Sequence, residues 1–198
     1  TLDALFNLPP VKAHLHKAIP MGAGLGGGSA DAAFFINLLN DKFALNLTLH
    51  DRLNFARTLG SDCAFFWNAQ PAIVRGTGTE LQAISLSLQG YYLVLVYPHV
   101  HISTAWAYAQ CNPKPPLQHI ENIVLQPVYT WKNVLHNDFE EPVFKAFPLL
   151  KDIKHALYHH GALYASLSGS GSTLYGIFKE IPDLSAFSMY SCYTEQVQ

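Results

Sequence analysis

The chain has 198 residues, 49% of them hydrophobic and 13% charged, with a formal net charge of −2. That length fits one large or two small domains, and the apolar content excludes a disordered polymer. With no basic run or stripe to meet a phosphate backbone, no nucleic-acid partner is expected.

Three cysteines, Cys63, Cys111 and Cys192, are an odd number without framework spacing and are read as reduced thiols. The longest apolar run, YYLVLVY at 91–97, is far short of the roughly 20 residues of a membrane helix. The opening residues lack the basic and apolar regions of a signal peptide, so the expectation is a soluble, cytoplasmic protein with no membrane partner.

In chain order, KAHLHKAIP (12–20) alternates like a short strand that Pro20 ends. PMGAGLGGGSADAA (20–33) then sets five glycines, Gly22, Gly24, Gly26, Gly27 and Gly28, within seven positions. A helix is expected from Ser29 to Asn40, with Ser29 as N-cap, Asp31 in the first turn and Phe35, Leu38 and Leu39 as its apolar face. A second helix is expected over Leu49–Leu59, capped by Thr48 with Asp51 and stopped by Gly60. The stretch 72–84 reads as two strands joined by the turn at 76–79. Residue 88 is placed at a boundary, giving domains 1–88 and 89–198. Beyond it come a buried strand in YYLVLVYP, a helix over 103–110, a polar crossing at CNPKPP, helices within 138–161, and a strand-loop-strand unit at 161–178.

Bare backbone N–H groups leading into a helix N-terminus form a nest for phosphate oxygens, so the glycine loop is read as holding a phosphate chain. A Walker A loop is excluded, because Gly28 is followed by Ser29 and Ala30 and not by Lys-Ser/Thr. A dinucleotide fingerprint stays open: Gly22, Gly24 and Gly27 fit G-x-G-x-x-G and Asp51 could serve as its acid, although HLHKAIP makes a poor buried parallel strand. Asp62, in LGSDCAFFWN, follows a helix stop and precedes an aromatic run that should partly shield its carboxylate, as a general base requires. Ser168, Gly169, Ser170 and Gly171 form a second small-residue loop between apolar strands, suited to close backbone approach to a ligand. The pairs His14/His16 and His99/His101 have a spacing used by zinc sites but no third ligand, and are read as solvated or core histidines. Phe65, Phe66 and Trp67 are read as core packing.

Residues 20–33 together with SLSGSGSTLYGIF resemble the central phosphate-binding motif and the C-terminal glycine motif of the GHMP kinases. The three-glycine form, followed by GSDCAFF, is most similar to the branch that phosphorylates a cytidine-diphosphate-linked methylerythritol; the similarity runs from about Leu15 to Phe178. The resemblance implies an α+β, two-domain GHMP kinase fold: part of an N-terminal domain like the second domain of ribosomal protein S5, then a ferredoxin-like C-terminal domain. It implies ATP as cofactor, with its phosphates on Pro20, Gly22, Ala23, Gly24, Leu25, Gly26, Gly27, Gly28 and Ser29, assisted by Lys17. It implies magnesium at the Ser29 hydroxyl and Asp62 as the base that takes the proton of the substrate hydroxyl. A small-molecule alcohol would lie against Asp62, Thr77, Thr104, Tyr108 and Ser168–Gly171, and any self-association would be a weak homodimer. The family's Lys-x-Asn strand with the Tyr-His pair that follows it does not occur here, and Ala64 stands in place of its usual proline. The chain is therefore expected to open inside the N-terminal domain, and nucleotide binding without turnover, or a different alcohol as substrate, stays open as an alternative.

Overall fold

A computed structural model of the chain describes residues 5–78, 80–113, 115 and 118–198. Residue 79 of the expected turn and residues 114 and 116 of the polar crossing lie outside the described residues. The chain divides into two compact units, Thr1–Met21 with Gly26–Ile84, and Gly22–Leu25 with Ser85–Gln198. Four residues of the glycine loop are thus packed with the second unit, and the rest of the loop with the first.

The first unit holds helices α1 (Gly27–Phe43), α2 (Leu49–Leu59) and α3 (Cys63–Asn68), followed by an antiparallel hairpin of β1 (Ala72–Arg75) and β2 (Glu80–Ala83). Helix α2 has the termini its sequence encodes. Thr48 Oγ1 accepts from the Asp51 N–H at 3.2 Å, while the Asp51 carboxylate accepts from the Thr48 N–H at 2.9 Å, a capping box. The Thr48 hydroxyl on that carboxylate, with the backbone bond beside it, holds Asp51 below the usual carboxylate pKa.

Helix α1 differs from its expected form in three ways. It starts two residues before Ser29, with Gly26 at the cap position, φ 66°, and no side-chain cap. The left-handed glycine turns the loop directly into the helix, so backbone geometry, not a serine hydroxyl, sets its start. Ser29 is the third helical residue, and Asp31, beyond the first turn, forms an ion pair with Lys17. Ala33, Ile36 and Leu39 are buried, whereas Phe35 and Leu38 are exposed. Both sets recur at helical spacing, and packing against α2 and α3 selected the first. Phe35 lines an open apolar groove of about 940 Å³ with Leu8, Val11, Leu39 and Leu59.

No strand forms at 12–20. Alternation gives a segment two faces, but a strand also needs a neighbour to pair with, and among the described residues none lies alongside.

The second unit contains β3 (Tyr92–Tyr97), α4 (Thr104–Gln110), α5 (Ile120–Val124), a 3₁₀ helix (Val128–Asn133), α6 (Glu140–Ala146), α7 (Pro148–His159), β4 (Tyr164–Leu167), β5 (Leu174–Phe178) and β6 (Ser191–Gln196). The four strands pair antiparallel in the order β4-β5-β3-β6, the ferredoxin-like arrangement. Before β6 that arrangement has only a three-residue 3₁₀ turn, Ser185–Phe187. Helix α7 begins with Pro148 at its first turn and buries Leu150, Ile153 and Leu157 at positions i, i+3 and i+7, packing them on β4 and β5 with Val94, Leu167, Leu174 and Phe178. Trp131 of the 3₁₀ helix stacks edge-on against Tyr164 of the outer strand β4, which covers that sheet edge.

Candidate functional site

The glycine loop is built from both ends. On its first half, the Ala23 carbonyl accepts from the Thr173 N–H at 3.1 Å and the Gly24 carbonyl accepts from the Ser168 hydroxyl at 2.8 Å. Gly22 and Gly24 have φ of 72° and 77°. A Cβ on Gly24 would meet the carbonyl oxygens of Ser168 at 2.2 Å and Gly171 at 2.7 Å, so this glycine serves backbone-on-backbone contact. Residues 22–25 of the first glycine motif and the second motif, more than 140 residues apart, are thus one packed structure within the second unit. Ala23 is buried, Pro20 is exposed, and Leu25 is half-buried.

On the other half, the Ala30 N–H bonds the Gly26 carbonyl at 3.0 Å as the first rung of α1. The N–H groups of Gly27, Gly28 and Ser29 therefore have no partner within the helix, and the positive end of its dipole lies there. A Cβ on Gly26 would collide with the Phe66 ring at 2.4 Å and one on Gly27 would press on Ile19 at 3.2 Å, but Gly28 has open space within 4 Å. The Lys17 ammonium lies 3.7 Å from the Cβ position of Gly27 and pairs with Asp31. A cation at a helix N-terminus opposes the dipole, and an anion received there would offset both positive charges.

Asp62 occupies the cap position of α3, makes no capping bond, and is exposed. The expected aromatic shielding fails because the aromatic run winds into α3, which spreads successive rings about the helix axis: Phe65 and Phe66 pack edge-on and Trp67 lies under Arg52. Ala64 is buried in the first turn of α3, where proline and alanine are both tolerated. Thr77 is exposed at the tip of the β1–β2 hairpin. The neighbouring Gly78 (φ 80°) abuts the Ser61 carbonyl, which would be 2.0 Å from an added Cβ, so the hairpin tip packs against the residue preceding Asp62.

In the second unit, Thr104 starts α4, with its hydroxyl 3.5 Å from that of Ser170. Tyr108, one turn later, is exposed with its ring edge-on to Phe139 at 4.9 Å. Gly169 and Gly171 have φ of 53° and 90°, and the loop closes through the Gly171 N–H on the Ser168 carbonyl at 2.9 Å. Beneath it lies a polar cluster that sequence reasoning missed. Asn137 Nδ2 donates to the Leu167 and Gly169 carbonyls at 2.9 and 2.8 Å; Glu140 accepts from the Ser166 hydroxyl at 3.0 Å and the Leu167 N–H at 2.9 Å, with Lys154 at 2.5 Å on its other oxygen. The segment HNDFE reads only as the approach to a helix, and nothing in the sequence marks its hydrogen bonds to residues 166–169. His99 meets Ser191 at 3.0 Å and His101 packs against Gly22. Among the described residues no three His, Cys, Asp or Glu side chains form a metal-holding group.

The family described as GHMP kinases N terminal domain matches residues 1–70, and GHMP kinases C terminal matches residues 121–186. A 4-diphosphocytidyl-2-C-methyl-D-erythritol kinase of Bacteroides fragilis is 49% identical over 177 residues, 89% of this chain and 65% of that protein. The protein of the same name from Parabacteroides distasonis is 44% identical over 190 residues, 96% of this chain and 70% of the relative. The chain thus spans about two thirds of the length of these relatives. A crystal structure of 4-(cytidine 5'-diphospho)-2C-methyl-D-erythritol kinase superposes with a TM-score of 0.75 at 30% identity, over 90% of this chain and 67% of that one. A homoserine kinase from Cytophaga hutchinsonii, at 18% identity and TM-score 0.64, shares the fold. Two domain matches in the expected order, a relative at 44% identity of which the chain covers 70%, and the two glycine motifs packed together establish that this chain belongs to the GHMP kinase family.

Proposed function

We propose that the protein is an ATP-dependent kinase that phosphorylates the 2-hydroxyl of 4-diphosphocytidyl-2-C-methyl-D-erythritol in the non-mevalonate route to isoprenoid precursors. The observation that carries this reading is the start of α1: three N–H groups without helical partners, open space at Gly28, and the Lys17 ammonium alongside, a receptor for a phosphate chain. The activity of the relatives, each a 4-diphosphocytidyl-2-C-methyl-D-erythritol kinase by name, supplies the substrate. In this reading Gly22–Ser29 cradle the ATP phosphates, Asp62 takes the proton of the substrate hydroxyl, and Thr77, Thr104, Tyr108 and Ser168–Gly171 contact the alcohol. The Ser29 hydroxyl, in the first turn of α1, suits a magnesium ion carried by the phosphates, which would neutralise their developing charge. Phosphoryl transfer relies on positioning and charge, consistent with a site rich in backbone amides and with one carboxylate.

A cytoplasmic protein that self-associates weakly, as a homodimer, completes the reading. The test is ADP release by the full-length protein: turnover is expected with the cytidyl methylerythritol and not with mevalonate or homoserine, and equal turnover with either of those would overturn the substrate. Nucleotide binding without turnover is the second reading. It is favoured by the Asp62 carboxylate, which is exposed and has no hydrogen-bond or ion-pair partner among the described residues. Single-turnover phosphorylation by the parent would eliminate it.

A further inference from the structure

Every polar group of the Asn137 side chain is engaged. Its Nδ2 donates to the Leu167 carbonyl at 2.9 Å and the Gly169 carbonyl at 2.8 Å, and its Oδ1 accepts from the Phe139 N–H at 3.0 Å, which fixes the amide's orientation. The two carbonyls it grips flank Ser168, the residue whose hydroxyl holds the Gly24 carbonyl at 2.8 Å. Along the same strand edge the Glu140 carboxylate holds the Leu167 N–H at 2.9 Å. Ser168 is thus presented to Gly24 by a clamp that belongs to neither glycine motif.

The consequence for the phosphate loop follows from peptide planarity. The carbonyl of Gly24 and the N–H of Leu25 share one plane and oppose each other, so fixing the first fixes the second. The Ala23 carbonyl, held by the Thr173 N–H at 3.1 Å, sets the Gly24 N–H in the same way. A loop whose glycines can rotate freely loses this aim unless its carbonyls are tied down, and nest affinity for an anion depends on convergent N–H groups.

We propose that Asn137 is a positioning residue for nucleotide binding: acting through the Leu167 and Gly169 carbonyls and Ser168, it sets the direction of the Gly24–Leu25 peptide in the phosphate loop. This rests on the reading of that loop as the ATP site. Asn137 itself touches no phosphate.

The competing role is local, because an Asn at this position also makes the turn into α6 through its Oδ1 on the Phe139 N–H. The substitution Asn137→Asp keeps an acceptor for that turn and removes both donors, which separates the two roles. Binding of a non-hydrolysable ATP analogue to full-length parent, Asn137→Asp and Asn137→Ala should be measured by calorimetry, and steady-state constants for ATP and for the alcohol determined alongside. Asn137→Asp is expected to fold with the parent's circular dichroism, bind the analogue about tenfold more weakly, and raise KM for ATP by a similar factor with kcat changed less than about threefold. Asn137→Ala should show the same split if it folds; if it does not, Asn137→Asp decides alone. Parent-like nucleotide affinity in Asn137→Asp would overturn the proposal and leave the ATP site standing. Failure of the parent itself to bind the analogue would overturn both.

Discussion

A Cβ on Gly24 would stand 2.2 Å from the carbonyl oxygen of Ser168, so at this point two loops more than 140 residues apart meet backbone to backbone. Nothing at that contact is a flexible side-chain end, and Gly24 also has φ of 77°. Gly24→Ala is expected to destabilise the second unit by about 3 kcal/mol, from left-handed strain plus displacement of the loop, and to weaken ATP binding. Denaturant unfolding checks this, and parent-like stability would mean that the loop moves off Ser168 freely.

Gly28 is the converse case. Its neighbourhood is open within 4 Å and its φ is not positive, so Gly28→Ala should leave stability unchanged or raise it by up to about 1 kcal/mol through helix propensity. The added methyl occupies the space beside the free helical N–H groups, and ATP affinity should fall about tenfold or more by calorimetry. Gly161→Ala is the control: with φ of 93° and nothing within 4 Å, it should cost about 1 kcal/mol and leave affinity unchanged. A Gly28→Ala variant that binds ATP like the parent would move the phosphate site elsewhere.

Lys17→Met should weaken ATP binding about tenfold by removing the ammonium beside the α1 N-terminus, and Lys17→Arg should retain most of it. The parent's affinity should fall with added salt more steeply than that of Lys17→Met. Identical salt slopes would show that Lys17 serves only Asp31.

Asp62→Asn should keep the parent's unfolding midpoint, since the carboxylate is exposed and makes no capping bond. Turnover should drop by about 10² or more with KM for ATP little changed, the scale of a lost general base. Turnover within twofold of the parent would assign Asp62 to the turn into α3.

Burial pushes the phenols of Tyr164, Tyr175 and Tyr158 above the ordinary value near 10. A raised folded-state pKa means that the native chain holds these protons more tightly than the unfolded one. Their contribution is therefore complete below about pH 10 and is lost as pH rises through the folded values. Stability measured by urea unfolding should decline above about pH 10, and Tyr164→Phe should decline less steeply. At neutral pH that variant should lose about 1 kcal/mol with the 3.2 Å hydrogen bond to the Leu135 carbonyl. An unchanged alkaline slope would remove Tyr164 as a source of it.

Local chemistry made much of this chain legible in its sequence. The Thr48–Asp51 box, Gly60 and the glycine turn after Arg75 gave α2 and the hairpin their observed bounds, because caps and tight turns depend on a few adjacent residues. The two glycine motifs likewise announced close backbone approach, since only glycine tolerates it. What sequence could not decide were choices between equivalent local options. Two apolar stripes on α1 compete, and only packing against α2 and α3 buried Ala33, Ile36 and Leu39 in place of Phe35 and Leu38. Gly26 rather than Ser29 caps that helix because the loop arrives in a left-handed turn above the Phe66 ring. The clamp of Asn137 and Glu140 on residues 166–169 lay wholly outside sequence reach, because hydrogen bonds spanning 26 to 32 residues are set by how the sheet and helices pack and leave no periodicity in the chain.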